Sequence, residues 1–309
     1  MNLAKIVYLR LLFFIATFIA IPIGMPLPTA ADTHDLICCG AEEVFVIAIA
    51  APEVKKWSWL AKQSPSIPAG FHSRFRSTDD CKPYEGNLLL ITSSSGGVAL
   101  IDRTTKECRF LAESKNAHSA SLLPAHQIAV ASSTGGDQVQ FFDQNDQPKP
   151  AAMVQSIPLL GAHGTVWDAN RNCLWALGEK ELLALVADAD AKPQSRWSVL
   201  TRTTLPSNGG HDLSPQHDGE HLYVTTDTQV LLFHCDKLTF TVADGFGDHS
   251  KIKSVDRHPA SDRIVFHQAT EEHWWSDTIR FTGRPKLKLA GERLYKVRWD
   301  TPAPIPQFK

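Results

Sequence analysis

Three histidines recur at matching places in the sequence and are the residues best suited to do chemistry. His118, His163 and His211 each open a similar segment, and they lie 45 and 48 residues apart. Lys253 follows after 42 residues and Lys296 after a further 43. Three imidazoles are a typical donor set for a divalent ion such as Mn²⁺, with an open position for water or substrate. The pattern predicts that the histidines bind a metal and that Lys253 or Lys296 acts as a base.

Distant residues of this kind meet only if the segments that carry them are equivalent repeats. Each segment contains a short strand, a polar turn, an apolar strand, a loop of small residues and an alternating strand, as at residues 163–185. Four strands in about 40–50 residues are typical of one β-propeller blade. Because the inner strands of a propeller surround its axis, their first residues converge into a ring.

Counting the repeats gives six blades. Four begin at the residues just described, and a fifth spans residues 79–111. Residues 36–40, 44–49 and 56–59 supply only three strands, and the C-terminal stretch 295–300 can supply the missing inner one. The sequence predicts an all-β, six-bladed β-propeller of four-stranded blades, with the first blade completed by the C-terminal strand. Seven blades remain an alternative if residues 61–78 contain strands, but their Ser, Pro and Arg content favours a loop.

The loops on the same face as the ring supply candidate substrate-binding residues. Ser95 and Thr134 lie beside glycines, which leave room for a ligand. Trp274 and Trp275 could stack on a sugar ring, or could equally pack between blades. Asp80, or its neighbour Asp79, could add a carboxylate as a fourth ligand or as a partner of one. For any single histidine, a hydrogen bond to a backbone group at the blade entry is the alternative role.

The N-terminus has the order of regions found in a secretory signal peptide. Lys5 and Arg10 precede an apolar run at residues 11–25, and small residues follow at 29–31. This order predicts a signal peptide at residues 1–31, cleaved to leave a single domain at 32–309. The mature protein would then be exported, periplasmic or extracellular, and free of the membrane. An uncleaved N-terminal anchor is the alternative.

The net charge limits which partners can be expected, and the cysteine content limits which disulfides can form. The formal net charge is −2, and the chain has no basic stripe with interleaved aromatics, so nucleic acid is not expected. None of the six cysteines forms a C-x-x-C pair. One disulfide, between Cys81 and either Cys38 or Cys39, remains open in an exported protein. The sequence does not define the oligomeric state.

Five stretches of the chain resemble one family. They are LITSSSGGVAL at residues 90–100, NAHSA at 116–120, AHGTVWD at 162–168, GGHDLSP at 209–215 and GERLYKVRW at 291–299. Together they are similar to a family of exported bacterial six-bladed β-propellers catalogued as a domain of unknown function. That resemblance implies an association with carbohydrate breakdown. The histidine ring is also similar in style, though not in motif, to propeller lyases that hold manganese with several histidines.

These observations lead to one functional hypothesis and two alternatives. The hypothesis is a metal-dependent carbohydrate lyase that performs elimination or hydration next to a carbonyl or carboxylate, on a carbohydrate or other small-molecule ligand. A metal would polarise the oxygen and stabilise the enolate. Whether the chain is an enzyme at all stays open, because a non-catalytic propeller that binds sugar or protein could use the same ring. A scaffold with purely structural histidines is the other alternative.

Overall fold

Six four-stranded antiparallel sheets form the ring, and each is one blade of a propeller. The computed structural model describes residues 34–144, 149–188 and 196–308. The prediction of an all-β six-bladed propeller is therefore confirmed. The predicted signal peptide at residues 1–31 lies outside the described residues, so it and the export it implies stay predictions.

The strands of each blade follow one another from the channel outward. Blade 1 contains β24 (Lys296–Trp299), β1 (Asp35–Cys39), β2 (Glu43–Ala48) and β3 (Ala51–Leu60). Blade 2 contains β4 (Thr78–Tyr84), β5 (Leu88–Ser93), β6 (Gly97–Asp102) and β7 (Cys108–Glu113). Blade 3 contains β8 (Ala117–Leu123), β9 (Gln127–Ser132), β10 (Gln138–Asp143) and β11 (Met153–Pro158).

The second half of the ring repeats this order. Blade 4 contains β12 (Gly164–Asp168), β13 (Cys173–Leu177), β14 (Glu181–Asp188) and β15 (Arg196–Thr204). Blade 5 contains β16 (Leu213–Pro215), β17 (His221–Thr225), β18 (Val230–His234) and β19 (Thr239–Val242). Blade 6 contains β20 (Ile252–Arg257), β21 (Ile264–Gln268), β22 (Thr278–Phe281) and β23 (Arg284–Lys288).

The two ends of the described chain close the ring inside blade 1. Strand β24 pairs antiparallel with β1, with Leu36 opposite Trp299 and Cys39 opposite Lys296. This confirms the predicted role of the C-terminal strand. The closure gives β1 a partner on both sides, which removes a free edge that would otherwise be open to pairing with another chain.

The apolar core lies between blades. Six buried clusters are present, and each combines side chains of two neighbouring blades. Strand β1 illustrates the cause, because successive residues of a strand point to opposite faces. Ile37 and Cys39 pack against blade 2, whereas Leu36 and Cys38 pack against blade 6. The ring is therefore held by contacts that every blade makes on both faces.

The segment between blades 1 and 2 carries no strand. It contains two short 3₁₀ helices, Ala61–Gln63 and Ala69–Phe75. Phe75 is buried at the end of the second helix and makes an edge-to-face contact with Trp59, with ring centroids 5.3 Å apart. This agrees with the predicted loop and leaves no seventh blade in this segment. Within the described residues no helix is long and apolar enough to cross a membrane.

All six cysteines are free thiols in the structure. Cys39 and Cys81 share the apolar cluster between blades 1 and 2, but the disulfide that the sequence left open is not formed. Burial raises the pKa of the Cys39 thiol well above its usual range. These cysteines therefore serve as small apolar core residues.

Candidate functional site

One side chain from each blade meets at one mouth of the channel. The mouth ring, as we call it, consists of Asp79, His118, His163, His211, Lys253 and Tyr295. All six line a single pocket of about 290 Å³, together with Ser77, Ser94, Asn116 and Trp274. The structure thus brings together the three predicted histidines, Lys253 and Trp274.

Irregular strand pairing positions half of the mouth ring. The registers of the inner strands skip one residue at Asp79, at His118 and at Lys253. Each of the three is the extra residue of a β-bulge, a feature that turns a side chain out of the regular alternation and is common beside active sites. The other three ring residues are His163, His211 and Tyr295, and each lies one or two residues before an inner strand. Their backbone N–H groups still donate to the second strand of the same blade.

The three imidazoles contact one another in a row around the mouth, the first pair tilted and the second edge-to-face. The ring centroids of His118 and His163 lie 4.1 Å apart, and those of His163 and His211 lie 5.1 Å apart. Burial lowers the pKa of His118 to about 3, and it also lowers the pKa values of His163 and His211. All three are therefore neutral at physiological pH, and each nitrogen is either a donor or an acceptor.

Hydrogen bonds assign the proton of His118. The Asn116 side-chain NH₂ donates to the Thr134 carbonyl (3.2 Å). The Asn116 amide oxygen therefore faces His118 Nε2, at 3.1 Å. An amide oxygen only accepts, so Nε2 carries the proton and Nδ1 carries the lone pair. The Tyr295 hydroxyl and the Asp79 carboxyl both lie 3.3 Å from that Nδ1. Tyr295 can donate there directly, and Asp79 can do so only when it is protonated.

The environment of Asp79 favours its protonated form. Burial raises the pKa of this carboxyl to about 7, in spite of the hydrogen bond from the Ser94 N–H and the attraction of Lys296. A protonated Asp79 donates to His118 Nδ1 and still accepts from Ser94. The carboxyl therefore has a partner in either state and can change its protonation near neutral pH.

A different partner assigns the proton of His163. Its Nδ1 lies 3.0 Å from the Gly161 carbonyl and 3.0 Å from the Ser133 hydroxyl. The carbonyl only accepts, so Nδ1 carries the proton and Nε2 carries the lone pair. His163 can therefore accept a hydrogen bond from a ligand hydroxyl at Nε2.

Lys253, His211 and Asp227 form a short chain of polar atoms. His211 Nε2 lies 2.9 Å from Asp227 Oδ1 and 2.9 Å from Lys253 Nζ. Its other nitrogen, Nδ1, is buried and has no hydrogen-bond partner among the residues that the structure describes. Burial and the nearby Lys296 lower the pKa of Lys253 to about 8, although Asp227 opposes the shift. The lysine is therefore poised to exchange a proton near neutral pH.

Lys296 and Asp80 lie one residue deeper than the repeat pattern predicts. The buried layer, as we call it, contains Asp80, Lys82, Asp212, Lys296 and Arg298. Lys296 Nζ binds Asp212 Oδ1 at 2.9 Å, and the Arg298 guanidinium spans Asp80 Oδ1 and Asp212 Oδ1, each at 2.8 Å. Lys296 is 0% exposed and Asp80 is 1% exposed. Neither lines the pocket, so the predicted roles as base and as substrate ligand are corrected.

A register shift of one residue explains both corrections. Tyr295 and Asp79, not Lys296 and Asp80, occupy the positions that match His118. Asp79 and Tyr295 face the mouth of the channel, and the residue that follows each of them faces the channel one level deeper. A usable signal was present, since Tyr295 follows Lys253 by 42 residues, the same interval that separates Lys253 from His211. Nothing in the sequence pattern indicated Asn116 or Asp227, which lie in loops and hydrogen-bond to His118 and His211.

The remaining predicted substrate residues lie outside the pocket. Ser95 donates its N–H to the Ser93 hydroxyl (3.2 Å), and Thr134 is exposed and acts through its carbonyl on Asn116. Trp275 stacks on His273 with ring centroids 4.8 Å apart and lies under Arg293. Trp274, by contrast, is 43% exposed at the pocket edge and makes an edge contact with Tyr295.

The mouth ring does not fit a preformed metal site. A metal needs one ligand atom from each residue close to the others. Among the described residues, the ligand nitrogens of His118, His163 and His211 do not all lie within 4.8 Å of one another, whereas the ligand atoms of Glu220, His221 and His234, in blade 5, do. In addition, the His118 lone pair already faces Tyr295 and Asp79. The predicted Mn²⁺ site would require these side chains to rearrange.

Comparison with known proteins identifies the fold and the family. A solved structure from Bacteroides uniformis, provisionally described as a 6-phosphogluconolactonase, matches with a TM-score of 0.56 and 13% identity, over 86% of this chain and 83% of that one. A likeness at that identity shows the propeller fold alone. No curated protein matches the chain. The model of a family of unknown function, DUF6528, matches residues 32–304, and the chain belongs to that family.

Proposed function

We propose that this chain is a carbohydrate-active enzyme whose active site is the pocket of the mouth ring. Its reaction is an elimination that begins with removal of a proton from a carbon next to a carboxylate or carbonyl group. Lys253 is the base and Tyr295 is the acid. The single observation that carries this proposal is the chain of polar atoms from Asp227 through His211 to Lys253.

The positions of the protons in that chain make it easier for Lys253 to lose its own proton, in line with its lowered pKa of about 8. His211 Nε2 faces a carboxylate, which only accepts, and the buried Nδ1 has no partner among the described residues. The arrangement that avoids two facing acceptors places the His211 proton on Nε2, directed at Asp227. Lys253 Nζ at 2.9 Å then cannot donate to the same nitrogen. An ammonium group is disfavoured there, and a neutral amine with its lone pair free is what a general base requires.

Tyr295 supports the second proton transfer. Burial raises the pKa of its phenol well above the usual range, with a further contribution from Asp79. The hydroxyl therefore stays protonated and can donate to a leaving oxygen. It lines the same pocket as Lys253.

Charge and shape favour an acidic sugar as the substrate. Directly below the pocket, the buried layer sets three cationic side chains against two carboxylates. These cations would attract a ligand carboxylate while Asp79 and Asp256, whose pKa values are raised to about 7, are protonated, and the lone pair of His163 would accept a ligand hydroxyl. Trp274 offers an exposed aromatic face at the edge of the pocket. The described activity of the Bacteroides uniformis protein is also on a sugar-derived substrate.

The proposed step balances protons and electrons. The Lys253 amine takes the proton from the carbon next to the carboxylate. The electrons of that C–H bond form a C=C bond as the C–O bond to the leaving group breaks, and Tyr295 gives its proton to the leaving oxygen. Lys253 then returns its proton to solvent and Tyr295 recovers one.

Replacement of Lys253 tests the proposal. Protein without a His tag is mixed with oligosaccharides that contain uronic acids, and the ultraviolet absorbance of a C=C bond conjugated to a carboxylate is followed. Loss of a general base should lower the rate by about 100- to 10,000-fold in Lys253→Met. Lys251→Met is the matched control, since Lys251 is two residues away and pairs with Glu271 at the surface.

Two results would overturn the proposal. Equal loss of activity in the Lys251 and Lys253 variants would show that Lys253 is not the base. Binding of the acidic sugars by calorimetry without any turnover would instead favour the non-catalytic sugar-binding propeller, which the exposed Trp274 also suits.

A further inference from the structure

A second cluster of chemically competent side chains lies in blade 5, away from the mouth ring. Glu220, His221 and His234 each place one ligand atom within 4.8 Å of the others. We propose that these three side chains form a binding site for a divalent ion of the Zn²⁺ class. The proposal does not depend on the proposed function, because none of the three lines the pocket of the mouth ring.

The strand register holds the two histidines together. His221 begins β17 and His234 ends β18, and the two residues are directly opposite each other in the antiparallel pair. Directly opposed residues of such a pair have Cβ atoms about 4.5–5.5 Å apart. The imidazole centroids are accordingly 4.7 Å apart, at an interplanar angle of 64°. The backbone thus fixes the spacing of the two donors without help from a metal.

Hydrogen bonds decide which nitrogen of each imidazole is available to an ion. Nδ1 of His221 lies 2.6 Å from Asp218 Oδ2 and donates to that carboxylate, so the lone pair of His221 is on Nε2. The Lys237 N–H makes a long contact (3.5 Å) with Nδ1 of His234, so the lone pair of His234 is on Nδ1 and a bound ion would replace this weak contact. A carboxylate behind a histidine is the usual support of a metal ligand, since it fixes the tautomer and makes the other nitrogen more basic.

Glu220 supplies the anionic donor. Its backbone is fixed on both sides, because its N–H donates to Asp218 Oδ1 (2.8 Å) and its carbonyl accepts from the Cys235 N–H (2.9 Å). Its side chain is exposed, and it has no ion pair with any other residue that the structure describes. Two imidazole nitrogens and one carboxylate oxygen, with water as a fourth ligand, match the preference of Zn²⁺.

The proposed metal site adjoins a pocket and is not an isolated group of surface side chains. His221 also lines an open pocket of about 200 Å³ beside blades 4 and 5, together with Asp168, Arg171 and His217. An ion bound by Glu220, His221 and His234 would therefore keep its water position near a cleft with both acidic and basic side chains. Such a position is open to a small anionic ligand.

Zinc titration of the tag-free protein tests this site. After dialysis against chelator, calorimetry with Zn²⁺ alone should detect one site, and Zn²⁺ should raise the melting temperature. His221→Ala and His234→Ala should each weaken binding at least ten-fold, and the double variant should abolish it. Asp218→Asn should weaken binding by about ten-fold through the loss of orientation. His249→Ala, which removes a half-buried histidine elsewhere, should bind like the wild type.

Co²⁺ provides a second measurement that needs no variant to fold. Its visible absorption should change on binding to wild-type protein and should be reversed by Zn²⁺. The proposal is overturned if the wild type binds no Zn²⁺, or if the double variant binds it unchanged. It is equally overturned if binding is lost in His118→Ala and His163→Ala, because the ion would then belong to the mouth ring.

Discussion

Asp79 and Asp80 are neighbours in the chain, yet their carboxyl groups lie in opposite environments. Asp79 belongs to the mouth ring, where burial raises its pKa to about 7. Asp80 belongs to the buried layer, where Arg298 and Lys296 overcome the effect of burial and hold its pKa below the usual range. Tyr295 and Lys296 are likewise neighbours in the chain, and Tyr295 lines the pocket whereas Lys296 lies in the buried layer.

The buried layer and the mouth ring differ in the state of their titratable groups, and this difference bears on which of them serves stability and which serves ligand binding. Asp80, Asp212, Lys296 and Arg298 keep their charges because each is paired within hydrogen-bond distance. Lys82 lies 3.7 Å from Asp80 and donates to the Thr165 carbonyl (2.6 Å). The mouth ring holds uncharged imidazoles, a lysine with a lowered pKa and a carboxyl with a raised pKa, and the lysine and the carboxyl can exchange protons near neutral pH. Titratable groups in a cleft whose pKa values are shifted toward 7 are typical of functional sites. We therefore expect changes in the layer to affect folding and changes at the ring histidines to affect ligands, whereas the buried Asp79 should also affect stability.

The largest effect is expected in the buried layer. Arg298→Met should lower the free energy of unfolding by about 3–5 kcal/mol, because it leaves Asp80 and Asp212 without their shared cation. Chemical denaturation followed by circular dichroism measures this. Arg202→Met, which breaks an exposed pair with Glu181, should cost less than about 1 kcal/mol. Similar losses in the two variants would show that the layer does not hold the channel together.

The pH dependence of stability distinguishes the two adjacent carboxyls. The folded-state pKa of Asp79 is above its ordinary value of 3.8, so its contribution is full below about pH 4 and is lost as the pH rises through about 7. Asp79→Asn mimics the protonated group and escapes that loss. A shift of about three pKa units corresponds to about 4 kcal/mol, gained by the variant relative to wild type between pH 4 and 8.

Denaturation at several pH values measures this difference. Asp256, whose pKa is also raised to about 7 by burial, titrates in both proteins and cancels. Asp80→Asn should behave in the opposite way, because the pKa of Asp80 is lowered. Its penalty should be full at neutral pH and should shrink only in acid. If the free energy of unfolding of Asp79→Asn differs from that of the wild type by the same amount at every pH, the raised pKa of Asp79 is contradicted.

His163 tests the ring as a ligand site. His163→Ala removes two hydrogen bonds, to Gly161 and Ser133, and should cost about 1 kcal/mol of stability. Binding of an acidic sugar should weaken at least ten-fold, as measured by calorimetry. His217→Ala, in a turn on the far face, should leave binding unchanged. If the two variants bind the sugar alike, the ring is not the site.

The smallest effect is expected at the pocket edge. Trp274→Ala should weaken sugar binding by about 0.5–1.5 kcal/mol, the usual worth of an aromatic stacking contact. Its stability should hardly change, since Trp274 is half exposed. Trp275→Ala is the matched comparison, because Trp275 stacks on His273 outside the pocket. A larger loss of affinity in the Trp275 variant would reverse the assignment of these two residues.

The sequence by itself determined the propeller, its six blades and the closure through β24. Those features depend on strand alternation and on repeat length, which are local properties and are visible in the order of residues. The convergence of His118, His163 and His211 followed from the same repeats, because equivalent residues of a closed ring must meet at its axis.

Tertiary structure decided which of two neighbouring residues faces the pocket. β-Bulges at Asp79, His118 and Lys253 shift the register by one residue, and no repeat count predicts a bulge. The Asn116 and Asp227 contacts and the pairing of His221 with His234 depend on loop paths and on cross-strand register. Such contacts join residues that the sequence leaves far apart, and the sign of each pKa shift depends on them. Burial and pairing act through space, so the folded chain was needed to propose that Lys296 serves folding and that Lys253 serves catalysis.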